Sequence, residues 1–272
     1  DTDKKELIDL YGAAGDAMRK CDLTIAVVGI NKSIEREGQD RYSIELPKDQ
    51  QIFIEEAYKI NPNTVVVLVA GSSLAINWMD EHIPAIVNAW YPGEAGGTAV
   101  AEVLFGDYNP GGKLPLTYYR SLDELPAFDD YDIRKGRTYQ FFEGNPLYAF
   151  GHGLSYTTFE YSGLTIAAPD AEGNIEVTVT VKNTGRRAGK EVVQLYVNDV
   201  VSSVTTPVKA LKRFAKVGLA PGESRTVNFS LAPQDLALWN AGMQFVTEPG
   251  EFQVMIGRSA EEIVLTETFI YK

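Results

Sequence analysis

The sequence predicts two folds in series, an α/β domain built on a mostly parallel sheet and then an all-β sandwich. Three observations carry this. Short, continuously apolar runs alternate with helix-period segments up to about residue 120; no sustained period runs through 121–157; from 158 onward apolar residues recur at every second position between turn clusters. Runs that are apolar nearly throughout belong to strands buried on both faces, as in a parallel sheet between helix layers, whereas alternation belongs to strands with one wet face. The division is therefore 1–120 for the α/β domain, 121–157 for an ordered connection and 158–272 for the sandwich.

Each element follows from its residues. Residues 4–20 carry apolar positions at Leu7, Leu10, Ala14 and Met18, the spacing of one helix face. TIAVVGI (24–30) reads as the first buried strand. Pro47 suits the first turn of the next helix, where its missing N–H costs nothing, and QQIFIEEAYKI (50–60) continues that helix. TVVVLVA (64–70), ended by Gly71, Ser72 and Ser73, is a second strand, and AIVNAWY (85–91) a third. PGEAGG (92–97) leads into TAVAEVLFG (98–106), a helix closed by Gly106. The connection is rich in Asp, Gly, Pro and aromatics, and we expect it to pack over the first domain. Beyond it, IEVTVTVKN, KEVVQLYVND, SRTVNFSLA, EFQVMIGR and VLTETFIYK, separated by clusters such as NTGRRAG and APGES, predict an antiparallel sandwich.

Composition narrows the function. A net charge of −12, from 37 acids against 25 bases, with no run of Lys or Arg, argues against nucleic acid or an anionic membrane as partner and favours a neutral substrate. No apolar stretch approaches the ~18 residues of a membrane span. The acidic, amphipathic N-terminus is unlike a signal peptide, and the chain reads as starting in the middle of something. Cys21, the single cysteine, excludes a disulfide within the chain and a Cys cluster for zinc; at the end of a helix it reads as a buried small hydrophobe.

The loop IEREGQDR (34–41) is the chemical candidate. It places Glu35, Glu37 and Asp40 among Arg36 and Arg41 directly after the first strand, where ligands of open α/β sheets bind. A carboxylate there, with an acid two residues away and an arginine close behind, can be tuned for proton transfer in either direction; a solvated loop of structural ion pairs is the competing reading. Other motifs are weaker. PGEAGG lacks the spacing and lysine of a phosphate loop and puts Glu94 where an anion would sit, so its glycines read as sites of close helix-to-sheet packing. His82 and His152 have no metal-ligand spacing; His82 belongs on the surface, and His152, in FGHGLSYTTF (150–159), serves the backbone of the sandwich entry. Ser72 and Ser73 lack a nucleophile elbow and read as a strand-end turn. Trp78, Trp90, Tyr139, Phe141, Phe142 and Tyr148 are candidates to stack on sugar rings, with core packing favoured for Trp90 inside its apolar strand.

Several segments together resemble the C-terminal half of a glycoside hydrolase family 3 enzyme: EREGQDR (35–41), LPKDQ (46–50), NAWYPGEAGGTAVAEVLFGDYNPGGKLPLTYY (88–119), GRTYQFFEGNPLYAFGHGLSYTTFEYS (136–162) and VKNTGRRAGKEVVQLYV (181–197). GRTY and PLY resemble the β-xylosidase branch more than the β-glucosidase branch. The resemblance implies an α/β sandwich domain followed by a fibronectin type III-like sandwich. It also implies an N-terminal (β/α)8 barrel, in the same polypeptide or as a separate chain, that carries an aspartate nucleophile in a Ser-Asp-Trp-type motif absent here. It implies Glu37 as general acid/base, with Glu35 in reserve, and an oligosaccharide substrate with terminal β-linked xylose or glucose. No cofactor is implied, and a periplasmic or secreted location is. Departures from the family pattern are Gln140 in place of arginine, which bears on substrate contacts or linker docking, and Ala149 and Arg213, which bear on backbone geometry. Two other functions compete: a non-catalytic carbohydrate-binding or scaffolding module, and a flavodoxin-like nucleotide binder, weakened by the missing phosphate loop.

Overall fold

A computed structural model of the protein describes residues 12–272, and the helix positions Leu7 and Leu10 lie outside the described residues. The chain divides into two compact units. One comprises 1–107, 118–124 and 145–147, the other 108–117, 125–144 and 148–272.

The first unit runs α1 (Gly12–Met18), β1 (Thr24–Gly29), α2 (Lys48–Ile60), β2 (Thr64–Val69), α3 (Asn77–His82), β3 (Ala85–Asn88) and α4 (Gly96–Phe105). The three strands form a parallel sheet in the order β1-β2-β3, with Thr24 opposite Thr64 and Val65 opposite Ala85. β2 lies between the others, and its Val66, Val67 and Leu68 are buried, as a continuously apolar strand requires. β1 is an edge strand, and alternate residues Ile25 and Val27 stay exposed, Val27 at 63 %. Pro47 is the N-cap of α2, just before the predicted first turn, with φ of −49°. Gly106 ends α4 in the left-handed region at φ 81°, where its N–H donates to the Val103 carbonyl.

Several expectations are corrected here. β3 stops at Asn88, and Trp90 sits beyond it at φ 55°, half-buried, so it is no interior residue of an apolar strand. α3, a single helical turn and a half, was not foreseen because NWMDEH is too short for a period to show. Cys21 is exposed, since α1 ends at Met18 and the chain turns outward before β1. The close approach at Gly96 is to the Pro92 ring in the same turn, 2.7 Å from where a Cβ would lie, and not to the sheet.

The second unit is a sandwich of a four-stranded antiparallel sheet, β12-β11-β6-β7, and a three-stranded one, β4-β5-β8. The strands are β4 (Phe159–Ile166), β5 (Ile175–Asn183), β6 (Gly189–Asp199), β7 (Ala210–Leu219), β8 (Ser224–Leu231), β11 (Gly250–Gly257) and β12 (Ile263–Tyr271). A two-stranded hairpin, β9 (Leu238–Trp239) with β10 (Phe245–Val246), stands beside them. The period of two is visible in β5, where Ile175, Val177, Val179 and Val181 are buried with Val193, Leu195, Phe252 and Val254 from the facing sheet. β6 is buried on both faces because Tyr196, on its outer side, is covered by the connection: Tyr139 stacks on Phe150 at 4.3 Å and meets Tyr196 edge-on at 6.0 Å. This part of the connection packs on the sandwich, which corrects the expectation that it covers the first domain. The physical reason is the unpaired apolar outer face of β6 and β11, to which Met255 also belongs and against which Ala260, in the turn after β11, packs.

The sandwich entry is held by polar groups. At His152 the main chain is paired, Leu114 N–H donating to its carbonyl at 2.8 Å and Gly151 N–H donating back to Leu114 at 2.7 Å, while its ring stacks on Tyr148 at 5.2 Å. Glu191, buried in β6, accepts from the Tyr161 hydroxyl at 2.9 Å and lies 3.5 Å from the Lys113 ammonium. Arg213 does more than shape backbone. It forks onto Asp235 through Nη1 at 2.8 Å and Nη2, while Asp235 accepts from Ala232 N–H at 2.8 Å at the start of the short helix Pro233–Leu236.

Candidate functional site

The site is built at the carboxyl ends of the parallel strands. Gln50, in the first turn of α2, donates to the Gly29 carbonyl at 2.8 Å and accepts from its N–H at 2.7 Å, which fixes where β1 stops. Gly29 is required there, since a Cβ would lie 1.8 Å from the Val69 carbonyl oxygen. The chain then leaves the sheet. Ile34 and Glu35 N–H groups donate to the Asn31 carbonyl, and Asn31 Oδ1 accepts from Ser33. This turn delivers residues 36–39 as a miniature hairpin, in which Arg36 and Gln39 exchange two backbone hydrogen bonds of 3.2 and 2.9 Å.

Glu37 and Gly38 are the two central residues of that turn, and Gly38 has φ 74°. A two-residue turn whose second position is left-handed calls for glycine there, so the Glu-Gly order has a conformational cause. Glu37 is thereby placed at the tip, exposed, and among the described residues its carboxylate has no hydrogen-bond or ion-pair partner. Asp40 is exposed as well.

Glu35 is placed differently. Its Oε2 lies 2.5 Å from Arg41 Nε and accepts from the Ser72 hydroxyl at 2.6 Å. Arg41 reaches further, donating through Nη2 to Ser72 Oγ and to the Ser73 carbonyl, each at 2.9 Å. Its Nη1 is buried with no partner among the described residues. The loops after β1 and β2 are thus joined by one guanidinium. A third loop converges on them, because the Tyr91 hydroxyl donates to the Ile30 carbonyl at 3.2 Å and the Tyr91 ring lies 2.4 Å from where a Cβ on Gly71 would be. Ser72 and Tyr91 are the members that sequence reasoning missed. Ser72 was legible only as a strand-end turn, since its partners lie 31 and 37 residues away.

Trp78 stacks on His82 at 4.4 Å and makes a T-shaped contact with Tyr58 at 5.8 Å, so one of its faces is engaged within the chain. His82 is exposed and its Nδ1 lies 2.8 Å from the Trp78 carbonyl oxygen. Asn88 donates to the buried Tyr118 hydroxyl at 3.0 Å; burial raises the Tyr118 pKa and that hydrogen bond partly offsets it. Among the described residues no three His, Cys, Asp or Glu side chains cluster as metal ligands, and no helix is long and apolar enough to cross a membrane.

Taken together, the elements define an α/β domain that presents a carboxylate on a hairpin beyond its strand ends, joined in sequence to a β-sandwich. The chain belongs to glycosyl hydrolase family 3: the family's C-terminal domain matches residues 9–156 and a fibronectin type III-like domain matches residues 191–260. It is 43 % identical over 280 residues to a beta-glucosidase of Bacteroides ovatus, covering 94 % of this chain and 37 % of that protein. It is 40 % identical over 258 residues to a periplasmic beta-glucosidase of Salmonella typhimurium, covering 90 % and 34 %. With a xylan 1,4-beta-xylosidase of Xylanibacter ruminicola it shares 41 % over 224 residues, covering 82 % and 26 %. The crystal structure of a beta-glucosidase from Kluyveromyces marxianus in complex with glucose superposes with a TM-score of 0.89 at 36 % identity, covering 96 % of this chain and 33 % of that one. The chain therefore spans about a third of the length of the beta-glucosidases it matches.

Proposed function

We propose that this chain is the acid/base-bearing portion of a retaining, exo-acting β-glycosidase that releases terminal β-linked xylose or glucose from oligosaccharides. In this reading the domain 1–120 supplies Glu37 as general acid/base, the connection 121–157 and the sandwich 158–272 support it, and an N-terminal (β/α)8 barrel supplies the nucleophile. The observation that carries it is the contrast between the two glutamates: Glu37 stands exposed at a hairpin tip with no carboxylate partner among the described residues, while Glu35 is held by Arg41 and Ser72. A proton donor must reach the glycosidic oxygen, and retention needs its carboxyl group about 5–5.5 Å from the nucleophile, which a projecting tip permits and an anchored ion pair does not. The relatives include both beta-glucosidases and beta-xylosidases, so both sugars stay within the proposal. A periplasmic or secreted location fits the periplasmic relative.

In the whole enzyme, Glu37→Gln is expected to lower kcat/KM by about 10²–10⁴-fold for glycosides with poor leaving groups, the usual contribution of a general acid, and far less for dinitrophenyl glycosides. Azide is expected to restore turnover to Glu37→Ala by attacking without a base. Equal losses for both leaving groups, with no azide rescue, would remove Glu37 from this role.

A second reading, a carbohydrate-binding module, is favoured by the β9–β10 hairpin, where Trp239 and Phe245 lie 5.3 Å apart with both rings exposed. Titrating the isolated chain with xylo- and cello-oligosaccharides tests it. Binding that Trp239→Ala abolishes would support that reading, and no binding would reject it.

A further inference from the structure

We infer that Glu35, Arg41 and Ser72 form a clamp whose task is to aim Glu37, with Glu35 a positioning residue and not an alternative proton donor. The inference rests on the assignment of Glu37 proposed above. Glu35 and Arg41 flank the four-residue hairpin on its two sides, so their ion pair, at 2.5 Å, closes the base of the loop that carries Glu37. Ser72 bridges that pair, donating to Glu35 at 2.6 Å and accepting from Arg41 at 2.9 Å, and Arg41 also donates to the Ser73 carbonyl. The base of the hairpin is thereby tied to the loop after β2, a strand whose middle is fully buried.

The side chains of Arg41 and Glu35 are 10 % and 25 % exposed, so the pair is shielded from the screening that makes surface ion pairs weak. Its hydrogen bonds are charge-assisted, and breaking one member leaves a partly buried charge without its counterion. A hairpin of four residues has few contacts of its own, and Glu37 makes none among the described residues, so the direction of its carboxylate depends on the base. Catalytic groups misplaced by about 1 Å lose on the order of 10²-fold in rate. The Glu35 charge is matched by Arg41.

The test uses the whole enzyme, barrel included, and compares kcat/KM for a poor-leaving-group glycoside and a dinitrophenyl glycoside in Glu37→Gln, Glu35→Gln, Ser72→Ala and the double variant Glu35→Gln/Glu37→Gln. Glu35→Gln and Ser72→Ala are expected to lose about 10- to 100-fold on the poor leaving group and only a few-fold on the activated one. The double variant is expected to match Glu37→Gln within about twofold, because a clamp that acts only through Glu37 has nothing left to aim. Losses that multiply in the double variant, or that are equal for both leaving groups, overturn the clamp. If Glu37→Gln itself spares the poor leaving group, the assignment of Glu37 fails instead, and a larger loss in Glu35→Gln than in Glu37→Gln makes Glu35 the donor. Should Glu35→Gln not fold, Ser72→Ala alone carries the comparison, since it leaves the ion pair in place.

Discussion

Asn183, at the end of β5, offers the sharpest test of what holds the sandwich together. It is fully buried, and its side chain makes four hydrogen bonds. Oδ1 accepts from the Thr157 hydroxyl at 2.7 Å and from Gly185 N–H at 3.0 Å, while Nδ2 donates to the Arg187 carbonyl at 2.7 Å and the Leu219 carbonyl at 3.0 Å. Alanine there removes all four. Gly185 and Arg187 lie toward the surface and can turn to water, but Thr157 and Leu219 are buried and cannot. Each orphaned buried group costs about 1–3 kcal/mol, so Asn183→Ala is expected to destabilise the sandwich by about 3 kcal/mol. Native-state hydrogen exchange of the β5 and β6 amides reads this unit by itself, and that loss corresponds to an acceleration on the order of 100-fold. Asn183→Asp is expected to be worse at neutral pH, since it sets an ionised oxygen against two carbonyls, and to recover partly at low pH, where a protonated carboxyl can donate to one of them. An Asn183→Ala variant that exchanges less than about fivefold faster would refute the reasoning, because each 1.4 kcal/mol corresponds to a factor of ten.

The remaining predictions concern activity and pH. The isolated chain is expected to be inactive on aryl β-xylosides and aryl β-glucosides, since it brings at most one of the two carboxyl groups that retention requires; turnover that disappears in Glu37→Gln would contradict this. Asp199 has a raised pKa from burial and from nearby Glu248, against a backbone hydrogen bond from Val201, and its Oδ2 has no partner among the described residues. A raised acid in the folded state penalises folding once it ionises, so Asp199→Asn is expected to raise the Tm at pH 7 and to lose that gain below the ordinary aspartate range of about 3.9. A lower Tm at pH 7 would count against it. Tyr161 is held far above its ordinary value, first by burial and then by the Glu191 charge that its hydroxyl faces. Its contribution is complete below about pH 10 and declines as the unfolded chain begins to release that proton, with a slope of about 1.4 kcal/mol per pH unit for one tyrosine. Alkaline unfolding of Tyr161→Phe is expected to be shallower by that slope, and an unchanged slope would show that Tyr161 ionises in the folded protein.

How much was legible in the sequence depends on the range of the interaction concerned. The period-two runs located β5, β6, β8, β11 and β12 but did not single out β4 and β7, and the continuously apolar runs located β1 and β2, although Ile25 and Val27 of β1 are exposed because it is an edge strand. The helix end at Gly106 was readable because glycine meets a local backbone demand, whereas the turn at Gly38 emerged only with the structure. β3 was read too long because Trp90 is apolar but turns away from the sheet, and α3 is too short to show a period. Arg213 looked like a matter of backbone geometry until Asp235, 22 residues on, proved to be its partner.

The loop 34–41 shows the division most clearly. The sequence by itself determined the family, the two folds and a carboxylate-rich loop at the end of the first strand, since these rest on local pattern and motif. Only the tertiary structure separated its two glutamates, leaving Glu37 at the tip and drawing Glu35 to Arg41 and Ser72. That separation depends on a hydroxyl 37 residues away, brought within 2.6 Å by the parallel pairing of β1 with β2. A contact set by strand register leaves no periodic trace in the chain, and so it becomes visible only once the sheet is formed.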